Sequence, residues 1–270
     1  MAKIGFIGAG NMAEAIIKGI IDAKVYKSKD IIITDIRPLQ VRALCKKYKV
    51  KSASDNCKLA KSVDVLVLST KPQNMQEVLA GIKGSVRKST LIISIAAGIT
   101  TKRIQKVLGN APVIRVMPNT PALIGQGCAV MYATKNARGK LNIAKRIFSA
   151  VGFAQAVDDE KLIDAVTAVS GSGPAYFFLL MEEMIKTAVK LGLKKELAAM
   201  LVLQTAKGAG LLAVEAFIKG QTPDILRKKV TSPGGTTEAA LKVFSKRNFE
   251  TMVLNALQAA AKRSRELSGR

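Results

Sequence analysis

A glycine-rich segment near the start of the chain has the spacing of a dinucleotide-binding loop. GAGNMA at residues 8–13 has the form GxGxxA and lies between an apolar run and a helical pattern. Gly8 permits a tight turn, Gly10 lets backbone amides approach a pyrophosphate, and Ala13 is small enough for close packing of helix on strand. The first helical turn adds amide donors and the positive end of a dipole. The segment favours a bound dinucleotide over a glycine turn without a ligand.

The second apolar run ends in polar residues that bear on the identity of the cofactor. An acid at this position accepts from the ribose 2′-hydroxyl of NAD, whereas a nearby arginine suits the 2′-phosphate of NADP. Asp35 and Arg37 offer both groups, so the sequence leaves NADH and NADPH open. A simpler role for Asp35 is to cap the helix that follows.

A second segment with chemical potential is TSPGGTTEAA at residues 231–240, just before a helical pattern. Glycines, a proline and hydroxyls in one loop present backbone N–H groups and side-chain hydroxyls together, which suits a small carboxylate. The alternative is a helix-capping loop with Thr236 or Thr237 as the cap. The two roles are compatible, because a capped helix start can still direct amides outward.

Histidine is absent, which excludes every mechanism that needs an imidazole as base, acid or metal ligand. Lactate-type dehydrogenases and Ser-His-Asp hydrolases are excluded for this reason. Cys45, Cys57 and Cys128 fit neither a CxxC site nor a closed disulfide framework. We therefore expect no metal site, and thiols that remain idle in a reducing cytosol.

The net charge of +24 could indicate a nucleic-acid or anionic membrane partner. However, the basic residues are spread along the chain, and neither an RNA-binding aromatic pattern nor a zinc finger accompanies them. We favour a general lysine bias and expect no nucleic-acid partner. We expect no signal peptide, and we expect no apolar stretch to be long enough to cross a membrane. The expected location is therefore cytoplasmic, with no membrane partner.

The elements that must position these segments change in character along the chain. Up to residue 158, short β-branched runs alternate with helical patterns, which predicts a parallel sheet with helices on both faces. Strands are predicted at 3–7, 31–33, 63–68, 91–95, 113–116, 125–132 and 153–157, and helices at 11–23, 39–48, 73–82 and 137–150.

Beyond residue 160 the pattern is helical throughout. Helices are predicted at 163–169, 174–191, 195–219, 237–245 and 249–267. The predicted fold is an α/β Rossmann N-terminal domain, residues 1–158, followed by an all-α C-terminal domain, residues 159–270. Several of these helices are apolar on more than one face, so we expect an obligate oligomer that covers them.

Six segments together resemble the pyrroline-5-carboxylate reductase family, over the whole chain. The most specific is VTSPGGTTEAAL at 230–241, which looks like the signature of the family. The supporting segments, which match in order and spacing, are FIGAGNMA at 6–13, TKP at 70–72, SIAAG at 94–98, MPNTP at 117–121 and VSGSGPAY at 169–176.

The resemblance implies reduction of 1-pyrroline-5-carboxylate to L-proline, the last step of proline biosynthesis, with NADPH as the default cofactor and NADH possible. It implies a helical domain that binds the imine acid and forms a homodimer or higher oligomer. Together with Asp35 and Arg37, the expected cofactor residues are Gly8, Gly10, Asn11, Met12, Asn56, Ser69, Thr70, Lys71, Ala96 and Ala97.

The resemblance also implies that the substrate carboxylate lies on a loop contributed by the partner chain. Thr237 matches the family threonine that reaches the ring nitrogen, and is the expected catalytic residue. Glu160 falls near a family acidic residue at the active site, although an exposed acid at a helix start is an equal alternative. The substrate-binding residues implied are Ser232, Gly234, Gly235, Thr236 and Thr237.

This chemistry suits a chain without histidine. A protonated C=N is already electrophilic, so a hydride can add without a strong enzymic acid. The protein then supplies mainly positioning, worth up to ~7–11 kcal/mol in well-oriented systems. A hydroxyl such as that of Thr237 can hold the nitrogen or relay a proton.

Other interpretations remain. A different two-domain reductase would use a lysine of the helical half as its acid, with Lys186 and Lys190 as candidates. A non-catalytic dinucleotide sensor would keep the glycine loop and have no need of residues 232–237. A nucleic-acid binder would show retention that falls steeply with added salt.

Overall fold

The computed structural model describes residues 2–269, and they form two compact units. The first unit contains the described residues through Pro174 together with those from Gln258 onward, and the second runs from Ala175 to Leu257. The last strand ends at Val157, so the sheet stops where the sequence places the domain boundary. That boundary, as a division of function, stays a prediction.

The first unit is built on one eight-stranded sheet. Its strands are β1 (Ile4–Ile7), β2 (Ile31–Thr34), β3 (Lys51–Ser52), β4 (Val65–Leu68), β5 (Leu91–Ser94), β6 (Val113–Met117), β7 (Gly127–Ala133) and β8 (Gly152–Val157). They lie in the order β3-β2-β1-β4-β5-β6-β7-β8. In register, Ile4 of β1 pairs with Ile31 of β2 on one side and with Val65 of β4 on the other.

The sheet is parallel from β3 to β6 but not beyond. β7 runs antiparallel to β6, with Met117 opposite Val130, and β8 is parallel to β7. A short 3-10 turn, Thr120–Ile124, joins β6 to β7. A parallel neighbour would need a crossover of a dozen or more residues. The prediction of a parallel sheet is therefore correct for six strands and wrong at this edge.

Helices cover both faces of the sheet. They are α1 (Asn11–Asp22), α2 (Pro38–Tyr48), α3 (Asn56–Ser62), α4 (Met75–Ile82), α5 (Thr101–Leu108), α6 (Leu141–Ser149) and α7 (Leu162–Val166). Because side chains alternate along a strand, β4 contributes side chains to two buried clusters, one on each face of the sheet. Val65 and Val67 pack in one buried cluster, and Leu66 and Leu68 in the other.

Two of these helices were not predicted from the sequence, because both are short and largely polar. Both start with a capping side chain that the pattern analysis did not use. Asp55 accepts a hydrogen bond from the backbone N–H of Lys58 at the start of α3, at 2.7 Å. Thr100 accepts from the N–H of Arg103 at the start of α5, at 3.2 Å. Such caps are the sequence signal that could have found them.

The remaining helices follow a π-helical turn, Thr167–Gly171, that directly continues α7. They are α8 (Gly173–Lys190), α9 (Lys195–Ile218), α10 (Pro223–Lys229), α11 (Thr236–Lys246) and α12 (Phe249–Leu267). Among residues 160–269 no strand occurs, as predicted, but α10 was missed. In the first unit, Ser264 of α12 donates to the buried carboxylate of Asp164 at 2.8 Å.

The second unit leaves many large apolar side chains exposed. Phe177 and Phe217 are 65% and 68% exposed. Two helices, Leu162–Lys190 and Lys195–Ile218, are long and apolar enough to cross a membrane by length and composition alone. The prediction that no apolar stretch is long enough to do so is therefore wrong. This is weak evidence for a span, because helices that pack against another subunit have the same composition.

Candidate functional site

The glycine loop has the geometry that close approach of a ligand requires. Gly8 has φ = +98°, and a Cβ there would stand 2.7 Å from the carbonyl oxygen of Ser69. Its N–H donates to the carbonyl of Thr34 at 2.9 Å, which ties the loop to the end of β2. At Gly10 a Cβ would meet no heavy atom within 4 Å, so the space beside this backbone is open. Gly10 is the N-cap of α1 and provides no capping side chain, so the first amides of the helix stay available.

Three side chains hold the loop in place from outside. The carboxylate of Asp35 accepts the backbone N–H of Ala9 at 2.8 Å, and the side-chain amide of Gln40 donates to the carbonyl of Ala9 at 2.9 Å. The hydroxyl of Ser69 donates to the carbonyl of Gly8 at 2.7 Å. The loop is therefore fixed before any ligand binds.

Asp35 and Arg37 form a close ion pair at the end of β2. Arg37 contacts the carboxylate through Nε at 2.9 Å and through Nη2 at 3.1 Å, and its backbone N–H donates to the same group at 2.9 Å. The hydrogen bond from the Arg37 side chain is the main cause that lowers the pKa of Asp35 to about 2. Asp35 does not cap α2, because the N-cap of that helix is Arg37 and no side chain caps it.

The other expected cofactor residues lie on loops that follow the carboxyl ends of β3, β4 and β5, the edge at which open α/β sheets bind ligands. Asn56 opens α3, and its side-chain oxygen accepts from the hydroxyl of Thr34 at 2.7 Å, which fixes the orientation of the amide. Lys71 is exposed, whereas the hydroxyl of Thr70 is buried and has no hydrogen-bond partner among residues 2–269. Ala96 and Ala97 follow β5.

These residues fit a dinucleotide. An open amide edge at Gly10, an uncapped helix start, a cation at Arg37 and the buried hydroxyl of Thr70 lie on loops at one edge of the same sheet. A cavity of about 490 Å³ lies elsewhere. It is lined by residues such as Tyr26 and Arg146 and lies near the amino ends of β4 and β5, at the opposite edge of the sheet from the glycine loop.

In the second unit, the loop before α11 leaves a helix start without a capping side chain. The N-cap is Gly235, so neither Thr236 nor Thr237 is the cap. Gly234 has φ = +70°, and its N–H donates to the carboxylate of Glu238 at 3.0 Å, which folds the loop back over the first turn.

Hydroxyls surround the same turn. A Cβ at Gly235 would meet the Ser232 hydroxyl oxygen at 2.5 Å, so this oxygen lies directly against the loop backbone. Ser232 and Thr236 are exposed, and Thr237 is half-buried. Free amides, a helix dipole and hydroxyls in one turn form a receptor for a small anion. Sequence reasoning therefore identified a real local feature, although the roles of its residues stay predictions.

Glu160 is not an exposed acid at a helix start. Its carboxylate accepts from the backbone N–H and the hydroxyl of Thr101, at 2.9 and 2.6 Å, and from Arg115 at 3.2 Å. The side chain of Arg115 is 1% exposed, and its Nη2 has no hydrogen-bond partner within the described part of the chain. Glu160 thus neutralises a buried cation of the first unit.

Asn119 was not predicted to be important, although it lies in the MPNTP segment. Its side-chain amide donates to the carbonyl of Ser170 at 3.1 Å, and its side-chain oxygen accepts from the N–H of Cys128 at 2.7 Å. Ser170 belongs to the π-helical turn, an element that is frequent at functional sites. A Cβ at Gly171 would stand 2.4 Å from the methyl group of Met117, so this turn packs against the end of β6.

A different two-domain reductase would use Lys186 or Lys190 as its acid, but the described surroundings of these two lysines do not suit that role. Lys186 is exposed and pairs with Glu182 and Glu183, at 2.6 and 2.8 Å, and these carboxylates raise its pKa. A general acid working near neutral pH needs a lowered value. Lys190 is also exposed.

Comparison with known proteins agrees with this geometry. Residues 160–267 match the family model described as pyrroline-5-carboxylate reductase dimerisation, and residues 3–98 match the one described as NADP oxidoreductase coenzyme F420-dependent. A pyrroline-5-carboxylate reductase of Pseudomonas aeruginosa is 44% identical over 98% of this chain and 97% of its own length.

Solved structures give the same result. The pyrroline-5-carboxylate reductase of Coxiella burnetii superposes with a TM-score of 0.91 at 39% identity, over 99% of this chain and 98% of that one. The Plasmodium falciparum pyrroline carboxylate reductase, solved with NADP bound, has a TM-score of 0.87 at 33% identity over 99% and 98% of the two chains. The loop geometry and the full-length similarity together show that this chain belongs to the pyrroline-5-carboxylate reductase family.

Proposed function

We propose that this protein reduces 1-pyrroline-5-carboxylate to L-proline with NADPH, and less efficiently with NADH. The observation that carries the proposal is the loop before α11, whose uncapped helix start and hydroxyls suit a small carboxylate. A dinucleotide sensor would have no need of this loop. Its presence in a chain that also has an open glycine loop favours an enzyme that brings a cofactor and a small acid together.

The nucleotide would be held by the loops of the first unit. Its pyrophosphate would lie on Gly8, Gly10 and the first turn of α1, where the amides are open. When bound, the cofactor supplies the hydride. The other residues proposed to contact it are Asn11, Met12, Asp35, Arg37, Asn56, Ser69, Thr70, Lys71, Ala96 and Ala97.

The substrate carboxylate would be held by residues 232–237. The first N–H groups of α11 and the hydroxyls of Ser232 and Thr236 would donate hydrogen bonds to it, and the glycines Gly234 and Gly235 let the backbone approach it. Thr237 lies one residue further into the helix and is proposed to hold the ring nitrogen. Its hydroxyl can accept from the N–H of the protonated imine and can donate to the nitrogen of the amine product.

The reaction needs little acid-base chemistry from the protein. Hydride adds to the ring carbon of a protonated C=N bond, the π electrons move to nitrogen, and the product is a secondary amine. No positive charge has to be created by the enzyme, because the proton is present before hydride transfer. Positioning and exclusion of water are therefore the main contributions, which is consistent with a chain that has no histidine.

We propose that the chain is a homodimer or higher oligomer assembled through its helical domain, residues 159–270, in the cytoplasm. The match of residues 160–267 to a dimerisation family supports this, and a second copy would cover exposed residues such as Phe177 and Phe217. The two long apolar helices would then pack in a subunit interface and not in a membrane. No nucleic-acid partner is proposed.

The test is oxidation of NADPH by the purified protein, with and without 1-pyrroline-5-carboxylate, with the product identified as proline. We expect oxidation that depends on substrate and yields proline, with NADPH or, more slowly, NADH. A folded protein that binds cofactor but forms no proline would contradict the proposal and favour a sensor or another reductase. Sedimentation in detergent-free buffer checks the oligomer, and membrane fractionation checks the location.

A further inference from the structure

The cavity of about 490 Å³ near the amino ends of β4 and β5 has a volume typical of small-molecule sites in proteins. We call it the amino-edge cavity. Its walls come from the residues after α1, from the starts of β4 and β5, and from α6, so distant parts of the first unit enclose it. None of the described residues that line it is among those expected to bind the cofactor or the imine acid.

Four basic side chains line this cavity without a carboxylate partner. Those of Lys24, Lys27 and Arg146 make no ion pair or hydrogen bond within residues 2–269. Lys140 donates from Nζ to the carbonyl of Ser89 at 2.5 Å, which fixes its ammonium group beside the cavity. Like charges that share one cavity repel one another, so the cluster lowers stability unless an anion binds there.

Two acids also line the cavity, and they do not balance its charge. The carboxylate of Asp64 accepts from the N–H of Lys3 at 2.8 Å and from Nη2 of Arg87 at 2.9 Å. The hydrogen bond from Lys3 is the main cause that lowers the pKa of Asp64. The carboxylate of Asp30 has no ion pair within the described part of the chain. Four cations and two carboxylates leave a surplus of two positive charges along the lining.

Apolar surface lies beside these charges. Val25 and Ile143 supply aliphatic groups, and Tyr26 supplies a ring. Burial raises the pKa of the Tyr26 phenol, and the positive charge of Arg146 acts in the opposite direction. The phenol therefore stays protonated near neutral pH and can donate a hydrogen bond. Cations next to aliphatic and aromatic surface suit a molecule that has an apolar body and an acidic group.

We propose that the amino-edge cavity binds a small phosphate monoester with an apolar ring, at the same time as the nucleotide is bound at the opposite edge of the sheet. A phosphate monoester carries about two negative charges near neutral pH, which matches the surplus of the lining. Lys27 and Arg146 would bind the phosphate, Tyr26 would donate a hydrogen bond to it, and Val25 and Ile143 would pack against the ring.

Titration calorimetry of the full chain with three probes tests the proposal. Phenyl phosphate has both a ring and a phosphate, inorganic phosphate lacks the ring, and phenol lacks the charge. We expect phenyl phosphate to bind at least about 10-fold more tightly than either of the other two, since each lacks one of the two contacts. Saturating NADPH should leave the Kd for phenyl phosphate within about twofold, because the glycine loop lies at the other edge of the sheet.

Two arginine variants locate the binding. Arg146→Met removes one cation of the cavity, and Arg138→Met is the matched control, since Arg138 is exposed and does not line the cavity. Arg146→Met should weaken binding of phenyl phosphate by about 10-fold to 100-fold, the range for a lost charge-assisted hydrogen bond. Arg138→Met should leave it within about twofold.

Thermal unfolding gives a second measurement. Without a ligand, Arg146→Met should be at least as stable as the wild type, because it removes a repulsive charge. With phenyl phosphate, the wild type and Arg138→Met should unfold at a higher temperature, and Arg146→Met should not, because only a ligand that binds the folded state raises Tm.

Four results would each overturn the proposal: equal binding of phenyl phosphate by the two variants, equal binding of inorganic phosphate, competition with NADPH, or no binding of any probe by the wild type. In the last case the cluster would reflect only the lysine-rich composition of the chain. Neither measurement uses turnover, so failure of the proposed reduction would be seen separately and would leave this result unchanged.

Discussion

The side-chain amide of Asn119 donates a hydrogen bond to the main-chain carbonyl of Ser170, at 3.1 Å, although the two residues are 51 positions apart. The bond ties the loop after β6 to the π-helical turn that leads into α8. A π-helical turn leaves carbonyls without their usual i+4 partners, so a side-chain donor at this point satisfies one of them. Asn119 thus links two of the segments that carry the family resemblance.

We expect Asn119→Asp to lower kcat at least several-fold while the Kd for NADPH stays within about twofold, because the variant keeps the shape of the side chain and loses one donor. Asn136→Asp is the matched control, since its amide also donates to a backbone carbonyl, that of Asn110, at 2.9 Å. Steady-state kinetics and cofactor titration of both variants check this. Equal losses in the two variants would show that the Asn119 contact is only structural.

Glu160 is expected to stabilise the fold more than it serves catalysis. Glu160→Ala leaves the buried guanidinium of Arg115 without its counter-ion, and removal of one partner of a buried pair costs about 3–5 kcal/mol. Urea denaturation measures the loss in the free energy of unfolding. Glu183→Ala, which removes a carboxylate from an exposed pair, should cost less than about 1 kcal/mol. If Glu160→Ala were instead stable and inactive, a direct catalytic role would follow.

Thr237→Ala is expected to lower kcat by about 100-fold, the order of magnitude for removal of one hydrogen bond positioned at the reacting group, while NADPH binding is retained. Thr237→Ser should recover most of the activity, because the hydroxyl remains. Both variants should fold, since Thr237 is half-buried and is not the cap of α11. A parallel loss of turnover and cofactor affinity, with the fold intact, would argue against this role.

The two glycines of the nucleotide loop should respond differently to the same substitution. Gly8→Ala places a Cβ against Ser69 at φ = +98°, so it should lower both stability and cofactor binding, with a strain of about 1–3 kcal/mol. Gly10→Ala meets open space at φ = −76°, so it should fold normally and lose NADPH affinity only. Thermal unfolding with and without NADPH separates the two effects. A destabilised Gly10→Ala protein would contradict the open geometry of the loop.

The ion pair at the end of β2 should be visible in a pH titration. The pKa of Asp35 is about 2, below its ordinary value of 3.8, mainly because of the hydrogen bond from Arg37. Because the pKa of Asp35 is lower in the folded state than in the unfolded state, ionised Asp35 stabilises the fold at pH values above its ordinary pKa. This contribution is lost as the pH falls from the ordinary value towards the folded one. Carboxyl carbon NMR shifts of Asp35 should follow this titration, and in Arg37→Met the midpoint should move upward.

Local sequence determined much of the first unit. β-branched runs such as residues 31–34 and the GxGxxA spacing depend on neighbours within a few positions, so the strands, the loop and its chemistry were predictable. The same holds for the long apolar helices α8 and α9. Short helices such as α3 and α5 were missed, because both are largely polar and their caps carry the signal.

Only the tertiary structure decided which distant groups meet. Glu160 is 45 positions from Arg115, and Ala9 is 26 positions from Asp35, so no local pattern could reveal that one acid neutralises a buried cation and the other is saturated. The antiparallel β7 likewise follows from pairing with β6. Sequence alone determined which elements and motifs this chain has, because those depend on short-range sterics and periodicity. The roles of its charged side chains depend on long-range contacts, which exist only after the chain has folded.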